Sequence, residues 1–231
     1  MSETVLYSYF RSSCAYRVRI ALNIKKIPYE MKFVNIYTGE QKDPTYMAVN
    51  PSAMVPSLMI DGHMLRQSTA IIEYLEDTRP SAPKLLPNDP HKRAAVREIA
   101  EIVACDIQPI QNLRVSAMVA DFCQKYQPTI TDDERMKIRN DWSREVITDR
   151  FRGIEKLLAS TSGDYCVGNG ITLADVFLAP QVYNANRFSV PMSEFPLISG
   201  ITERLNRHEA FVKAHPHSQP DCPPELKSSH N

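Results

Sequence analysis

The sequence predicts an α/β domain followed by an all-helical domain. Strand and helix patterns alternate over the first ~80 residues, in the order βαβ and then ββα. The stretch "TRPSAPKLLPNDP" then breaks the composition with prolines at 80, 83, 87 and 90. Beyond it no strand run occurs, and apolar residues recur every three or four positions. The βαβ–ββα order is thioredoxin-like. The expected organisation is therefore a thioredoxin-like domain over 1–80, a linker over 81–90, a helical domain over 91–216 and a loose tail over 217–231.

Each element has a local reason. "VLYSYF" from Val5 to Phe10 is β-branched and aromatic, the composition of a strand. A helix is expected from about Ala15 or Tyr16, with Val18, Ala21 and Leu22 on one side. "YEMKFVNI" suggests the second strand, and Asp43 caps a short helix with Pro44 at its first position. "PSLMI" and "HML" are short strands joined at Asp61-Gly62, the strongest hairpin signal in the chain. "QSTAIIEYLED" is a helix burying Ile71, Ile72 and Leu75. In the second part, Val96, Ile99, Val103, Ile107 and Ile110 mark one helical stripe, and Ile147, Phe151, Ile154 and Leu158 another. Pro109 and Pro180 fall inside such patterns and are expected to kink them. Thr172 with Asp175 three residues on forms a capping signature, with Ile171 and Val176 placed as a staple; this is a structural signal.

Composition narrows the function. Lys+Arg and Asp+Glu are both 27, and a net charge of zero argues against bulk attraction to nucleic acid or anionic membrane. No run approaches the ~18 apolar residues of a membrane-spanning helix. The start, "MSETVLYSYF", is too short and too polar for a secretory signal. The five cysteines are odd in number and widely spaced, with no CxxC, which favours reduced thiols in the cytoplasm over a disulfide framework or zinc site. No metal, nucleotide or hydrolase motif appears, so no metal is expected.

The stretch "FRSSCAYRVRIAL" carries the chemistry. Ser12, Ser13 and Cys14 precede a helix, where a hydroxyl can donate to a thiolate and the helix end lowers a thiol's pKa. Cys14 is also placed to act as a nucleophile itself. Arg17 and Arg19 face different directions; Arg17 is the one expected at a site, and Arg19 is expected in a surface ion pair. Val55-Pro56 sits where a thioredoxin-like domain carries a cis-proline whose neighbours turn their backbone to the site. Gln67-Ser68 opens a helix whose N–H groups suit a carboxylate, or serves as a plain cap. Arg187 ends a helix, as a dipole partner or as a substrate arginine.

"SSCAYRVRIAL" resembles the signature of the zeta class of glutathione transferases. The resemblance continues through "NPSAMVPSL", "QSTAIIEYLEDTRP", "LLPNDPHKRA", "IQPIQNL", "YCVGNGITLADVFLAPQVYNANRF" and "HPHSQPDCPPEL", covering nearly the whole chain. It implies the cytosolic glutathione transferase architecture, with glutathione as cofactor. The implied glutathione site is Ser12, Ser13, Cys14, Ala15, Tyr16 and Arg17, then Gln41, Val55, Gln67 and Ser68. Gln108, Asn112, Leu113 and Arg114 join it from the helical part. Tyr16 stands where the class commonly has Trp, Arg114 stands where serine is frequent, and the 120–145 stretch looks longer than in some relatives. Ser12 is implied for the thiolate hydrogen bond, with Ser13 second and Cys14 lining the pocket. Arg17 and Arg187 are implied for substrate carboxylates. The implied activity is glutathione-dependent cis–trans isomerisation of maleylacetoacetate to fumarylacetoacetate in tyrosine and phenylalanine catabolism, with transfer to small electrophiles such as α-halo acids. The alternatives are a broader transferase, thiol transfer through Cys14 and a non-catalytic glutathione-binding scaffold. A cytoplasmic homodimer is implied as well.

Overall fold

The computed structural model describes residues 4–227. The chain divides into two compact units, Met1–Leu85 with Asn206–Asn231, and Leu86–Leu205.

The first unit holds β1 (Val5–Ser8), α1 (Ser13–Ile24), β2 (Glu30–Phe33), α2 (Pro44–Val49), β3 (Ser57–Ile60), β4 (His63–Arg66) and α3 (Ser68–Thr78). The sheet order is β2-β1-β3-β4, parallel between β1 and β2 and antiparallel elsewhere. Asp61 and Gly62 turn the hairpin with φ of +52° and +81°, the pair of left-handed residues that a two-residue hairpin matching strand twist requires. Asp43 caps α2 through Thr45 N–H at 2.8 Å, and Pro44 sits at its first position. Leu6, Leu58 and Ile60 from the sheet meet Ile20 and Leu22 of α1 and Ile71, Ile72 and Leu75 of α3 in a fully buried core.

α1 departs from the sequence expectation. It begins at Ser13, earlier than Ala15, because Ser12 caps it. Nine of its twelve residues are buried, so it is covered on more than the one face a simple amphipathic pattern implies. Its cover is α3 on one side and, on another, α9 (Glu209–Ala214). Arg19 is 0% exposed and makes no surface ion pair. Its guanidinium donates to Ala214 O at 3.0 Å, Ser8 Oγ at 3.0 Å and Phe10 O at 3.0 Å. Buried acceptors on three sides explain how a permanently charged group sits inside.

The C-terminal reading also changes. Residues 206–227, with α9 among them, group with the first unit by their contacts. The stretch expected to be a loose tail is ordered over its described residues. His215 leads a 3-10 turn, Pro216–Ser218. Gln219 Nε2 donates back to Lys213 O at 2.9 Å and His215 O at 2.8 Å. Cys222 is buried in a small core with Tyr9, Phe10, Val34, Tyr46 and Val55, and α10 (Pro224–Lys227) follows. A polar composition hid this because its partners lie some 200 residues back. The 81–90 linker is tied down over its first half. Lys25 Nζ lies 2.5 Å from Glu76 and donates to Pro83 O at 3.2 Å, while Leu85 N donates to Glu76 at 3.1 Å.

The second unit holds α4 (Pro90–Glu101), a π-helical stretch Ile102–Ile107, α5 (Leu113–Tyr126), α6 (Asp132–Thr161), α7 (Leu173–Arg187) and α8 (Pro196–Leu205). Val96, Ile99, Val103, Ile107, Ile147, Phe151, Ile154 and Leu158 are buried as expected, but Ile110 is 38% exposed because the helical stretch stops at Ile107 and Ile110 lies in the turn after it. Pro109 falls in a turn where the first stripe ends, and the chain restarts as α5; Pro180 lies within α7. Thr131 and Glu134 form a capping box at α6. Glu155 of α6 accepts from Leu197 N at 2.7 Å and Ile198 N at 3.0 Å, capping α8 from a neighbouring helix.

Candidate functional site

The first unit brings most of the implied residues to two helix starts and one loop. Ser12 caps α1, its Oγ accepting from Ala15 N–H at 3.2 Å. A hydroxyl that accepts one hydrogen bond keeps its own proton to donate. The N–H groups of Ser13 and Cys14 lie in the first turn, where a helix offers donors and the positive end of its dipole. Ser12 and Cys14 are half-buried, and Ser13 is buried. Ala15 is buried outright. Tyr16 turns its side chain inward, its ring edge-on to His215 and its hydroxyl donating weakly to Phe211 O at 3.5 Å. Only its backbone is placed to meet a ligand.

Arg17 is 2% exposed, and its Nη1 donates to Ser68 Oγ at 3.3 Å. Its bond to Ser68 lets it support the start of α3. That start is unusual: Gln67 enters the helix with φ +69° and no side-chain cap, and is itself exposed. A left-handed residue other than glycine is strained by roughly 1 kcal/mol or more, and such strain gathers at binding sites. The donors of the first turn of α3 are therefore open to an anion.

Val55 is buried, and its peptide bond to Pro56 is cis. The loop before it is held by two residues that sequence reasoning did not single out. Tyr46 Oη donates to Met54 O at 2.6 Å, and Asn50 Nδ2 donates to the same carbonyl at 2.7 Å and to Ser57 Oγ at 3.2 Å. Burial pushes the Tyr46 hydroxyl pKa up, which keeps it protonated as a donor. The available signal for Asn50 was the Asn-Pro pair in "NPSAM", a turn marker. Gln41 lies in a 3-10 turn, Glu40–Lys42, with its side-chain oxygen buried and unpartnered among the described residues.

The remaining implied residues belong to the second unit. Gln108 is half-buried, and its N–H bonds Val103 O at 3.0 Å in the wide π pattern. Asn112 caps α5, its Oδ1 accepting from Arg114 N–H at 3.0 Å. Leu113 is half-buried, and Arg114 is exposed. Arg187 is the last residue of α7, exposed, with its guanidinium 4.9 Å from the Phe188 ring centre. That position suits the dipole of α7. All five cysteines are free thiols. Among the described residues no group of three or more metal-ligating side chains occurs, and no helix is long and apolar enough to cross a membrane.

Comparison with known proteins shows the family. The glutathione S-transferase N-terminal domain model matches residues 11–78, and the corresponding C-terminal domain model matches residues 120–216. The maleylacetoacetate isomerase of Rattus norvegicus is 48% identical over 228 residues, covering 98% of each chain. The holo structure of a maleyl pyruvate isomerase, a bacterial zeta-class glutathione S-transferase, is 38% identical with a TM-score of 0.86, over 95% of this chain and 100% of that one. A maleylacetoacetate isomerase of Methylobacterium extorquens AM1, solved with malonate and glutathione bound, is 33% identical with a TM-score of 0.84, over 95% of this chain and 99% of that one.

Proposed function

The chain belongs to the maleylacetoacetate isomerases, zeta-class glutathione transferases, and on that premise we propose which of its residues perform the glutathione-dependent isomerisation. A C=C bond cannot rotate freely. The glutathione thiolate adds to the conjugated alkene of maleylacetoacetate, forming a C–S bond and moving the π electrons into an enolate. The former double bond is now single and turns. Collapse of the enolate expels the thiolate, giving fumarylacetoacetate and returning glutathione unchanged.

Three needs follow from that sequence: an ionised thiol at neutral pH, a grip on carboxylates, and stabilisation of the enolate. Ser12 serves the first. The observation that carries this reading is its place as the cap of α1, where its oxygen is held by Ala15 N–H and its proton remains for the sulfur. Ser13 is buried beside it, and its backbone N–H contributes with that of Cys14 to the field that favours a thiolate. Val55 offers backbone groups to the cysteinyl part of glutathione, in the manner of an added strand. Gln67 and Ser68 take its γ-glutamyl carboxylate at the open start of α3, with Arg17 behind Ser68. Gln41, Gln108 and Asn112–Arg114 complete the cofactor contacts. Arg187 is the residue assigned to a substrate carboxylate, since an exposed guanidinium grips carboxylates through paired donors. Small α-halo acids use the same thiolate, by displacement of halide.

The same reading includes a homodimer in the cytoplasm. α5 leaves Met118 61%, Phe122 61% and Tyr126 70% exposed along one i,i+4 stripe, a surface of the kind that marks association. Sedimentation at assay concentration distinguishes a dimer from a monomer.

The catalytic assignment is tested by maleylacetoacetate turnover with glutathione. Losing one such donor costs about 10²–10³ in rate, so Ser12→Ala should fall by that factor while Cys14→Ala retains turnover. Loss confined to Cys14→Ala would move the chemistry to the protein thiol.

A further inference from the structure

The motif "HPHSQPDC" has no part in the chemistry above, yet the structure folds it against the loop that presents Ser12. That loop runs from the end of β1 at Ser8 to the cap of α1. Its backbone is held at both polar groups of one residue. Phe10 N–H donates to Asp221 Oδ2 at 2.8 Å, across 211 residues of chain. Phe10 O accepts from Arg19 Nη2 at 3.0 Å. Arg19 Nη1 reaches Tyr9 O at 3.4 Å, and Tyr9 O also accepts Ser12 N–H at 3.0 Å. Arg19 Nε in turn donates to Ala214 O at 3.0 Å, so the guanidinium joins the loop to the C-terminal segment. Cys222 fills the core shared by Tyr9, Phe10 and Val55. The segment thus touches the approach to Ser12 and the Val55 loop together.

We infer that Asp221 is a positioning residue for the glutathione thiol site, acting with Arg19 through the backbone of Phe10 to fix where the Ser12 hydroxyl stands. The inference rests on the assignment of Ser12 to the thiolate. The reason is geometric. Ser12 is two residues from Phe10, and its own N–H is tied to Tyr9 O, so a shift of the Phe10 peptide moves the cap. Misplacing a reacting group by about 1 Å costs on the order of 10²-fold, and sites keep their geometry through supports of this kind. Phe10 is 2% exposed, and its N–H is satisfied by this carboxylate. Burial raises the Asp221 pKa, outweighing the lowering effect of the Phe10 N–H.

The test is Asp221→Ala in the full chain, with Asp221→Asn as the conservative partner, since an amide oxygen of the same shape still accepts from Phe10 N–H. The readouts are kcat and KM for glutathione, and the pKa of the enzyme-bound glutathione thiol from thiolate ultraviolet absorbance. Asp221→Ala should lower kcat/KM about 10-fold or more and raise the bound thiol's pKa, and Asp221→Asn should recover most of both. Folded Asp221→Ala with the wild-type thiol pKa and kcat/KM would overturn the inference, whatever its melting temperature. If Asp221→Ala does not fold, Asp221→Ser, whose hydroxyl falls short of Phe10 N–H, is read by the same two criteria. Ser12→Ala, measured alongside, separates the two ideas. A raised thiol pKa in Ser12→Ala with none in folded Asp221→Ala rejects only the brace, whereas an unchanged pKa in Ser12→Ala rejects the assignment beneath it.

Discussion

The starts of α3 and α7 solve the same problem in opposite ways. Every helix begins with backbone donors that lack partners inside the helix. At α7 the start is tied by a capping box between Thr172 and Asp175. The Asp175 carboxylate accepts from Thr172 N at 2.8 Å, Thr172 Oγ1 at 2.8 Å and Cys166 N at 2.9 Å, and Asp175 is 0% exposed. At α3 nothing comparable exists. Gln67 enters with a strained left-handed backbone and no side-chain cap, and Ser68 is held from behind by Arg17. A helix start that is capped in this way is a piece of architecture. One left open in a strained loop is kept ready for a ligand's anion. Sequence alone does not separate them, since "TLAD" and "RQST" both look like caps.

The largest test of that contrast is Asp175→Ala. It strands two buried backbone donors and a cap, and should cost roughly 3 kcal/mol in urea unfolding. The folded fraction should keep the wild-type KM for glutathione; a large rise in KM would break the distinction. The same variant should flatten one part of the stability–pH profile. Burial outweighs the hydrogen bonds and raises the Asp175 pKa above 3.8. An acid with a raised native pKa contributes most when protonated. Its contribution therefore declines as pH rises from the ordinary value through the raised one. The difference between wild type and Asp175→Ala should show that decline.

Ser68→Ala should act in the opposite sense. Loss of one hydrogen bond to a carboxylate weakens glutathione by about tenfold in Kd, near 1.4 kcal/mol, and loss of the Arg17 bond costs about 1 kcal/mol in unfolding free energy. Calorimetric titration with glutathione measures it, and an unchanged Kd would show that α3 is not the carboxylate site. Gln67→Gly gives the smallest effect. Glycine removes the left-handed strain but frees the unfolded chain, so stability should move by no more than about 1 kcal/mol. Glutathione affinity should still drop if the Gln67 side chain contacts the ligand. An intact affinity would mean that only its backbone matters.

The sequence read well where structure is decided locally. The Asp61-Gly62 turn, the Asp43-Pro44 start and the two apolar stripes of the helical unit each follow from a few adjacent residues. So does the placing of Ser12 just ahead of α1. What escaped is non-local. Arg19 looks like a surface residue because its acceptors include a carbonyl 195 positions away. "HPHSQPDC" looks like a loose tail because its polar side chains fold back onto their own backbone and onto Phe10. Arg17 reads as a site arginine, but its bond to Ser68, 51 positions on, leaves no local trace. Periodicity records which face of a helix is apolar. It does not record that α1 is covered on further sides by a segment from the other end of the chain.

That discontinuity bears on how the protein is made. The unit that leaves the ribosome first is finished last. Residues 86–205 intervene between the sheet and the segment that covers α1. At roughly 5–20 residues per second, their synthesis occupies on the order of ten seconds. Throughout that interval the helical unit can assemble from a complete sequence. The earlier-made α1 meanwhile waits with Tyr16, Arg19 and Asn23 lacking part of their cover. The nascent chain then leaves part of α1 uncovered, the kind of transient exposure that favours aggregation.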